Sequence, residues 1–95
     1  MAQTEGTLFY PNSFTPNDDG ENDIFYAYGF NIKKFNMSIY DRWRQLIFQS
    51  DDVYKGWDGT YKGRPVEQDV YVLKINYEVK KARLKTIYDH ISVIK

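Results

Sequence analysis

The chain has 95 residues, no cysteine and a formal net charge of zero at pH 7, with 42% hydrophobic and 18% aromatic residues. This composition allows one domain with a modest core, and it is too apolar for a disordered segment. The lack of cysteine excludes thiol chemistry, cysteine-ligated zinc and disulfides, and the balanced charge gives no general affinity for nucleic acid or an anionic membrane.

The first half of the chain predicts four β-strands. Residues 6–10 and 24–28 are short candidates. Residues 34–40 alternate, with Phe35, Met37 and Ile39 on one face, which is the period-two pattern of a half-buried strand. Residues 45–49 follow at once, so residues 41–44 must form a tight hairpin connection. Such connections often place the last residue at positive φ, where Arg44 would be strained by roughly 1 kcal/mol.

The second half predicts two longer strands after a stretch of turn signals. Residues 50–64 are rich in glycine and aspartate, residues 70–79 form the longest strand candidate, and residues 84–94 return as the last strand. No segment shows an apolar helical period of useful length, and no apolar run approaches the roughly 20 residues needed to span a bilayer. The pattern predicts an all-β fold, an immunoglobulin-like antiparallel β-sandwich of about seven strands.

Residues 11–23 are predicted to be a loop, and their last seven residues carry four carboxylates and no cation. The match to an EF-hand loop is partial, so this is not an EF-hand. Two interpretations remain: an Asx-turn network, or a looser Ca²⁺ site. The oxygen ligands of such a site would come from Asn17, Asp19, Asn22 and Asp23.

Other residues that could carry chemistry give weak signals. His90 is the single histidine, no nucleophile motif is present, and a domain this small rarely forms a deep cleft, so an enzyme is not predicted. Trp43 and Trp57 both lie in predicted turns. They could stack on sugar rings, as in a carbohydrate-binding module, or fold back to close the ends of the sandwich, which we favour.

Three segments, in order, resemble the motifs of one family. Residues 11–23 resemble PNxFTPNGDGxND, residues 39–48 resemble IYNRWGxLVF, and residues 57–63 with 70–72 resemble WDGTYKG followed by GVYVY. These motifs are those of the gliding-motility-associated C-terminal domain, the type B sorting domain of the type IX secretion system in Bacteroidetes. The resemblance covers residues 8–95. Asp18, Arg44 and Asp69 stand where the family motifs have glycine.

The resemblance implies a non-enzymatic sorting domain. Such domains lie at the C-terminus of large adhesins or secreted enzymes and direct them through the outer membrane after a separate N-terminal signal. We therefore expect export, with the domain in the periplasm in transit and then at the cell surface or outside the cell. Residues 1–7 would be an expression start or linker, and residues 8–95 the sorting domain.

The expected partner is a protein, either a component of the type IX translocon or a cargo-specific outer-membrane protein. No nucleic acid, membrane insertion or required cofactor is expected, with Ca²⁺ at the acidic loop left open, and the domain is expected to be a monomer. Recognition is predicted at the hairpin tip and at the basic last hairpin, whereas Trp57, Asp58 and Gly59 are expected to be structural. The predicted recognition residues are Arg42, Trp43, Lys80, Lys81, Arg83 and Lys85.

Overall fold

The computed structural model describes residues 6–17, 20, 23–80 and 83–95, and these form nine β-strands and no α-helix. No helix in these ranges is long and apolar enough to cross a membrane. The all-β prediction is confirmed. The strands are β1 (Thr7–Phe9), β2 (Ser13–Phe14), β3 (Tyr28–Phe30), β4 (Ile32–Tyr40), β5 (Leu46–Ser50), β6 (Thr60–Tyr61), β7 (Arg64–Pro65), β8 (Asp69–Val79) and β9 (Lys85–Val93).

A five-stranded sheet in the order β2-β9-β8-β4-β5 forms the larger layer. β2 runs parallel to β9, and the other neighbours are antiparallel. β8 lies at the centre, where Tyr71, Leu73 and Ile75 point to one side and are buried. Met37 and Ile39 of β4 lie directly opposite Ile75 and Leu73, so the two predicted apolar faces combine into one. This confirms the period-two predictions for both strands.

A smaller second layer covers that apolar face. It consists of the antiparallel pair β1-β3 and of an isolated bridge between Phe25 and Trp57. The predicted strand at residues 24–28 is therefore wrong in its bounds, because regular pairing begins only at Tyr28 and runs through Gly29. A side chain at Gly29 would overlap the carbonyl group of Thr7, so the close approach of the two strands requires glycine.

β2 interrupts the predicted loop at residues 11–23. Ser92 N–H donates to the Asn12 carbonyl at 2.9 Å, and Ile94 N–H donates to the Phe14 carbonyl at 3.0 Å. The Phe14 side chain is buried in the core against the rings of Phe25 and Trp57. The loop prediction is wrong at these residues, because one apolar residue among polar ones has no period to reveal a strand.

Two tight hairpins complete the fold. The β4–β5 connection places Arg44 at φ 64°, as predicted. Between β6 and β7, Lys62 and Gly63 have φ of 55° and 80°, the geometry of a two-residue hairpin turn within the stretch predicted as turns alone. β8 is eleven residues long. Its two ends therefore lie about 33 Å apart. The β4–β5 hairpin lies at its Asp69 end, and the turn to β9 at its Val79 end.

Candidate recognition surfaces

The tip of the β4–β5 hairpin is held in shape by the carboxylate of Asp41. One oxygen of this side chain accepts hydrogen bonds from the backbone N–H of Trp43 at 2.8 Å and of Gln45 at 2.9 Å. The Arg44 N–H donates to the Asp41 carbonyl at 3.0 Å, which closes the turn. Aspartate suits this position because its short side chain satisfies backbone donors that the turn leaves without partners.

Arg42 and Trp43 project from this fixed turn. The Arg42 guanidinium forms a bidentate ion pair with the carboxylate of Asp69, with Nε to Oδ2 at 3.1 Å and Nη2 to Oδ1 at 3.4 Å. The same guanidinium lies 5.9 Å from the centre of the Trp43 ring, within cation–π range. The Trp43 side chain is 77% exposed. A large aromatic group is thus presented to solvent on a backbone that is already ordered.

A cleft of about 370 Å³ lies between this tip, β6 and the start of β8. Tyr61 accepts a hydrogen bond from the Gln45 side chain at 2.8 Å, which ties the β6–β7 hairpin to the tip. Tyr71 donates to the Glu67 carbonyl at 2.7 Å, and burial, with the nearby Asp69 carboxylate, raises the pKa of this phenol. These contacts order the cleft wall, and the arrangement suits binding against a preformed surface.

The basic last hairpin lies at the opposite end of β8. Lys80, Arg83 and Lys85 are exposed there, and the predicted Lys81 lies outside the described residues. The fold adds Lys33 and Lys34 from the start of β4, which sequence reasoning did not include. Both flank Glu78: Lys33 Nζ lies 3.3 Å from its carboxylate, and Lys34 is its partner across the strands. The sequence shows these two residues only as a pair of lysines at the start of a strand. The pairing of β4 with β8 is what places them beside Lys80.

The two predicted recognition clusters are therefore separate surfaces. Arg42 contacts Asp69, the first residue of β8, whereas Lys80 follows its last residue. The intervening strand keeps them about 33 Å apart. A single short segment of a partner would contact one of them, and only a large partner could contact both.

Trp57 is structural. It is 1% exposed, and it exchanges two backbone hydrogen bonds with Phe25 at 2.8 and 3.0 Å. Its indole N–H donates to the Thr60 carbonyl at 2.9 Å, and its ring packs edge-on against Tyr71 at 5.5 Å between centres. The favoured expectation that both tryptophans fold back is therefore confirmed for Trp57 and wrong for Trp43, which is 77% exposed. A sugar site that uses both indoles is therefore contradicted.

The next two residues fix the turn that follows Trp57. Asp58 accepts from the hydroxyl and the backbone N–H of Thr60 at 2.7 and 3.1 Å. Gly59 has φ 82°, and a Cβ there would lie 2.9 Å from Pro16 Cγ. The turn therefore needs glycine both for its backbone angle and for the close approach of Pro16.

The acidic loop is described only in part. Asp19 and Asn22 lie outside the described residues. Within them, the Gly20 N–H donates to the Asp23 carboxylate at 2.7 Å, and the Asn17 N–H donates to the Thr15 carbonyl at 2.8 Å. No group of three or more His, Asp or Glu in the described part of the chain could hold a metal. The Ca²⁺ interpretation stays a prediction, beside a side-chain network that supports the turn.

The single histidine lies next to a carboxylate that has a structural role. The Tyr10 hydroxyl donates to the Asp89 carboxylate at 2.8 Å, and the backbone N–H of His90 donates to the same carboxylate at 2.8 Å. These two donors lower the pKa of Asp89, with the backbone bond the larger cause. Burial, together with Asp89, raises the pKa of Tyr10 to about 12. The hydrogen bond between Tyr10 and Asp89 connects the segment before β2 to β9.

The fold defines a small all-β domain with an exposed aromatic hairpin tip and a basic opposite end. A family model, the CHU_C type IX secretion signal domain, matches residues 8–91, and the chain belongs to this family. The resemblance seen in the sequence motifs is thereby confirmed. Comparison with curated protein sequences gives no match. Membership gives the chain a sorting-signal role in type IX secretion, and with it export through the cell envelope to the surface.

Proposed function

We propose that this domain is the C-terminal sorting signal of a large adhesin or secreted protein, and that it acts by binding a protein of the type IX machinery. It performs no chemistry on its cargo. The partner is a translocon component or a cargo-specific outer-membrane protein, and the domain is folded when it is recognised. The match of residues 8–91 to the secretion signal family carries this proposal.

The hairpin tip is the proposed main contact. Tryptophan and arginine are enriched among the residues that contribute most to protein–protein binding, and the tip presents one of each. Because Asp41 and Asp69 already hold the backbone and the guanidinium, little conformational entropy is lost when a partner binds. The basic end, with Lys80, Arg83 and Lys85, would contribute a second, electrostatic contact to a large partner.

An export assay tests the proposal. Residues 8–95 are fused to a reporter that carries a periplasmic signal, in a host with a type IX system, and surface exposure is measured by protease accessibility. We expect export of the fusion and its loss with Trp43→Ala. Tyr54→Ala is the matched control, because Tyr54 is also an exposed aromatic residue, 86% accessible, but lies away from the tip.

Two results would refute parts of this proposal. A stable fusion that accumulates in the periplasm without export would reject the sorting role itself. Export that is equally efficient with Trp43→Ala and Tyr54→Ala would leave the sorting role intact and reject the hairpin tip as the contact. Circular dichroism of the purified variants shows whether a loss of export comes from unfolding.

A further inference from the structure

The outer face of the five-stranded sheet, turned away from the core, has an unusual surface near the start of β8. Strand pairing aligns Leu46, Tyr40, Val72 and His90 in one row across four strands. The next row brings Lys74 and Tyr88 together, with the Lys74 ammonium 5.8 Å from the centre of the Tyr88 ring. Tyr88 is 67% exposed and Val70 is 48% exposed. A solvent-facing sheet side is normally polar, so this concentration of apolar groups requires an explanation.

A groove of about 410 Å³ crosses this face, lined by Tyr40, Arg44, Val72, Lys74 and Tyr88. Its lining holds two cations and no carboxylate. The two ion pairs that the described residues form involve Lys33 and Arg42, and neither Arg44 nor Lys74 takes part in them. Two like charges beside one groove repel each other unless an anion lies between them. The groove is therefore complementary in charge to an acidic group.

Arg44 reaches this groove from a strained backbone. Its φ of 64° lies in the left-handed region, where glycine is unstrained and an arginine is not. The turn itself is closed by Asp41 and makes no use of the guanidinium. Arg44 therefore destabilises the fold and places a cation in the groove. A binding role for that cation explains why arginine occupies this position.

We propose that this groove binds an acidic segment of a protein partner. The carboxylates of the segment lie between Arg44 and Lys74, and an apolar side chain packs on Val72 and Tyr88. Tyrosine and arginine, which line this groove, are enriched in protein–protein contacts. A sugar would instead need several convergent polar groups, and the lining supplies only the two tyrosine hydroxyls beside its cations. This inference concerns a surface apart from Trp43 and does not depend on export.

The test measures binding of the 95-residue chain to a fluorescent synthetic peptide in which Glu alternates with Leu. We expect saturable binding that weakens with salt, and NMR shift changes that map to the outer face. Arg44→Gly and Lys74→Gln should each weaken binding about tenfold, because each removes one charge contact. Arg83→Gln removes the same charge at the opposite end of the molecule and should leave binding unchanged.

Arg44→Gly distinguishes a binding role from a structural one. It should raise the melting temperature, because glycine relieves the backbone strain, while it weakens peptide binding. Opposite changes in stability and affinity support the proposal, and a variant that is both more stable and equally tight in binding overturns it.

Three further results would overturn it. One is no saturable binding of the acidic peptide. Another is an equal loss of affinity with Arg83→Gln, which would indicate general charge attraction. The third is tighter binding of alginate or of phosphatidylglycerol vesicles at the same face, which would assign the groove to an acidic glycan or to a lipid surface.

Discussion

Replacement of Trp57 by phenylalanine tests whether this side chain, in the segment between β5 and β6, stabilises the core. The indole N–H donates to the Thr60 carbonyl at 2.9 Å. Thr60 faces Pro65 across the β6–β7 hairpin at a non-hydrogen-bonded position, since the next backbone bond of the hairpin runs from the Val66 N–H to the Gly59 carbonyl. The hairpin itself therefore gives the Thr60 carbonyl no backbone donor, and the tryptophan indole supplies the donor that phenylalanine lacks.

The expected cost has two parts. An orphaned carbonyl costs about 1 kcal/mol at a half-buried position such as Thr60. The smaller ring also leaves space among Phe14, Phe48 and Tyr71, which adds about 1–2 kcal/mol. The sum, about 2–3 kcal/mol, is a large share of the roughly 5–14 kcal/mol that stabilises a domain of this length. It corresponds to a fall in melting temperature of about 10–20 °C.

The assay is urea unfolding followed by far-ultraviolet circular dichroism, since tryptophan fluorescence changes with the substitution itself. Trp43→Phe is the matched control: the same chemical change at a side chain that is 77% exposed should alter stability by less than about 0.5 kcal/mol. A loss below about 1 kcal/mol at Trp57, or equal losses at the two sites, would refute the assignment of Trp57 to the core and Trp43 to the surface.

Three other outcomes are expected. In Tyr10→Phe, the stability measured by unfolding from pH 9 upward should decline less than in the original chain. The folded-state pKa of Tyr10 is raised to about 12, so its contribution to stability is complete below its unfolded pKa near 10 and is lost as the pH rises from about 10 to about 12. Identical pH profiles of the two proteins would contradict this. Gly59→Ala should lower the unfolding free energy more than Gly63→Ala by about 1 kcal/mol, because both have positive φ but only at Gly59 would the new methyl group overlap Pro16. Equal losses would show that the Pro16 contact is unimportant. The melting temperature should agree within about 1 °C in Ca²⁺ and in chelator, because the Asp23 carboxylate already accepts the Gly20 N–H; a rise of several degrees with Ca²⁺ would establish the cation site instead.

Much of the large sheet follows from local patterns. The alternation in β4 and β8 predicted both strands and their buried faces, since side-chain direction in a strand depends only on sequence parity. The positive φ of Arg44 was also predicted, because the short connection between two adjacent strands restricts its geometry. The pattern failed at β2 and β3, which are two and three residues long and whose pairing depends on distant partners. The equally short β1 lies within the predicted residues 6–10.

The candidate surfaces divide in the same way. The motif residues and the cations of the last hairpin were found in the sequence, and the family they indicate was confirmed. Local pattern alone could not tell that Trp57 is buried while Trp43 is exposed, because both lie in predicted turns. The assignment made after the family resemblance, with Trp43 at a recognition tip and Trp57 structural, agrees with the structure. Nor could it join Lys33 to Glu78 and the basic end, or show that this end lies across the molecule from Arg42.

By itself, the sequence determined the fold class, the central strands, the hairpin geometry at Arg44 and the family, because each depends on residues close together in the chain. Only the tertiary structure decided which tryptophan is buried, which cations share a surface, and that an apolar, cationic groove crosses the outer face. Those features depend on strand order and register, which bring together residues such as Tyr40, Val72 and Tyr88 from separate parts of the chain.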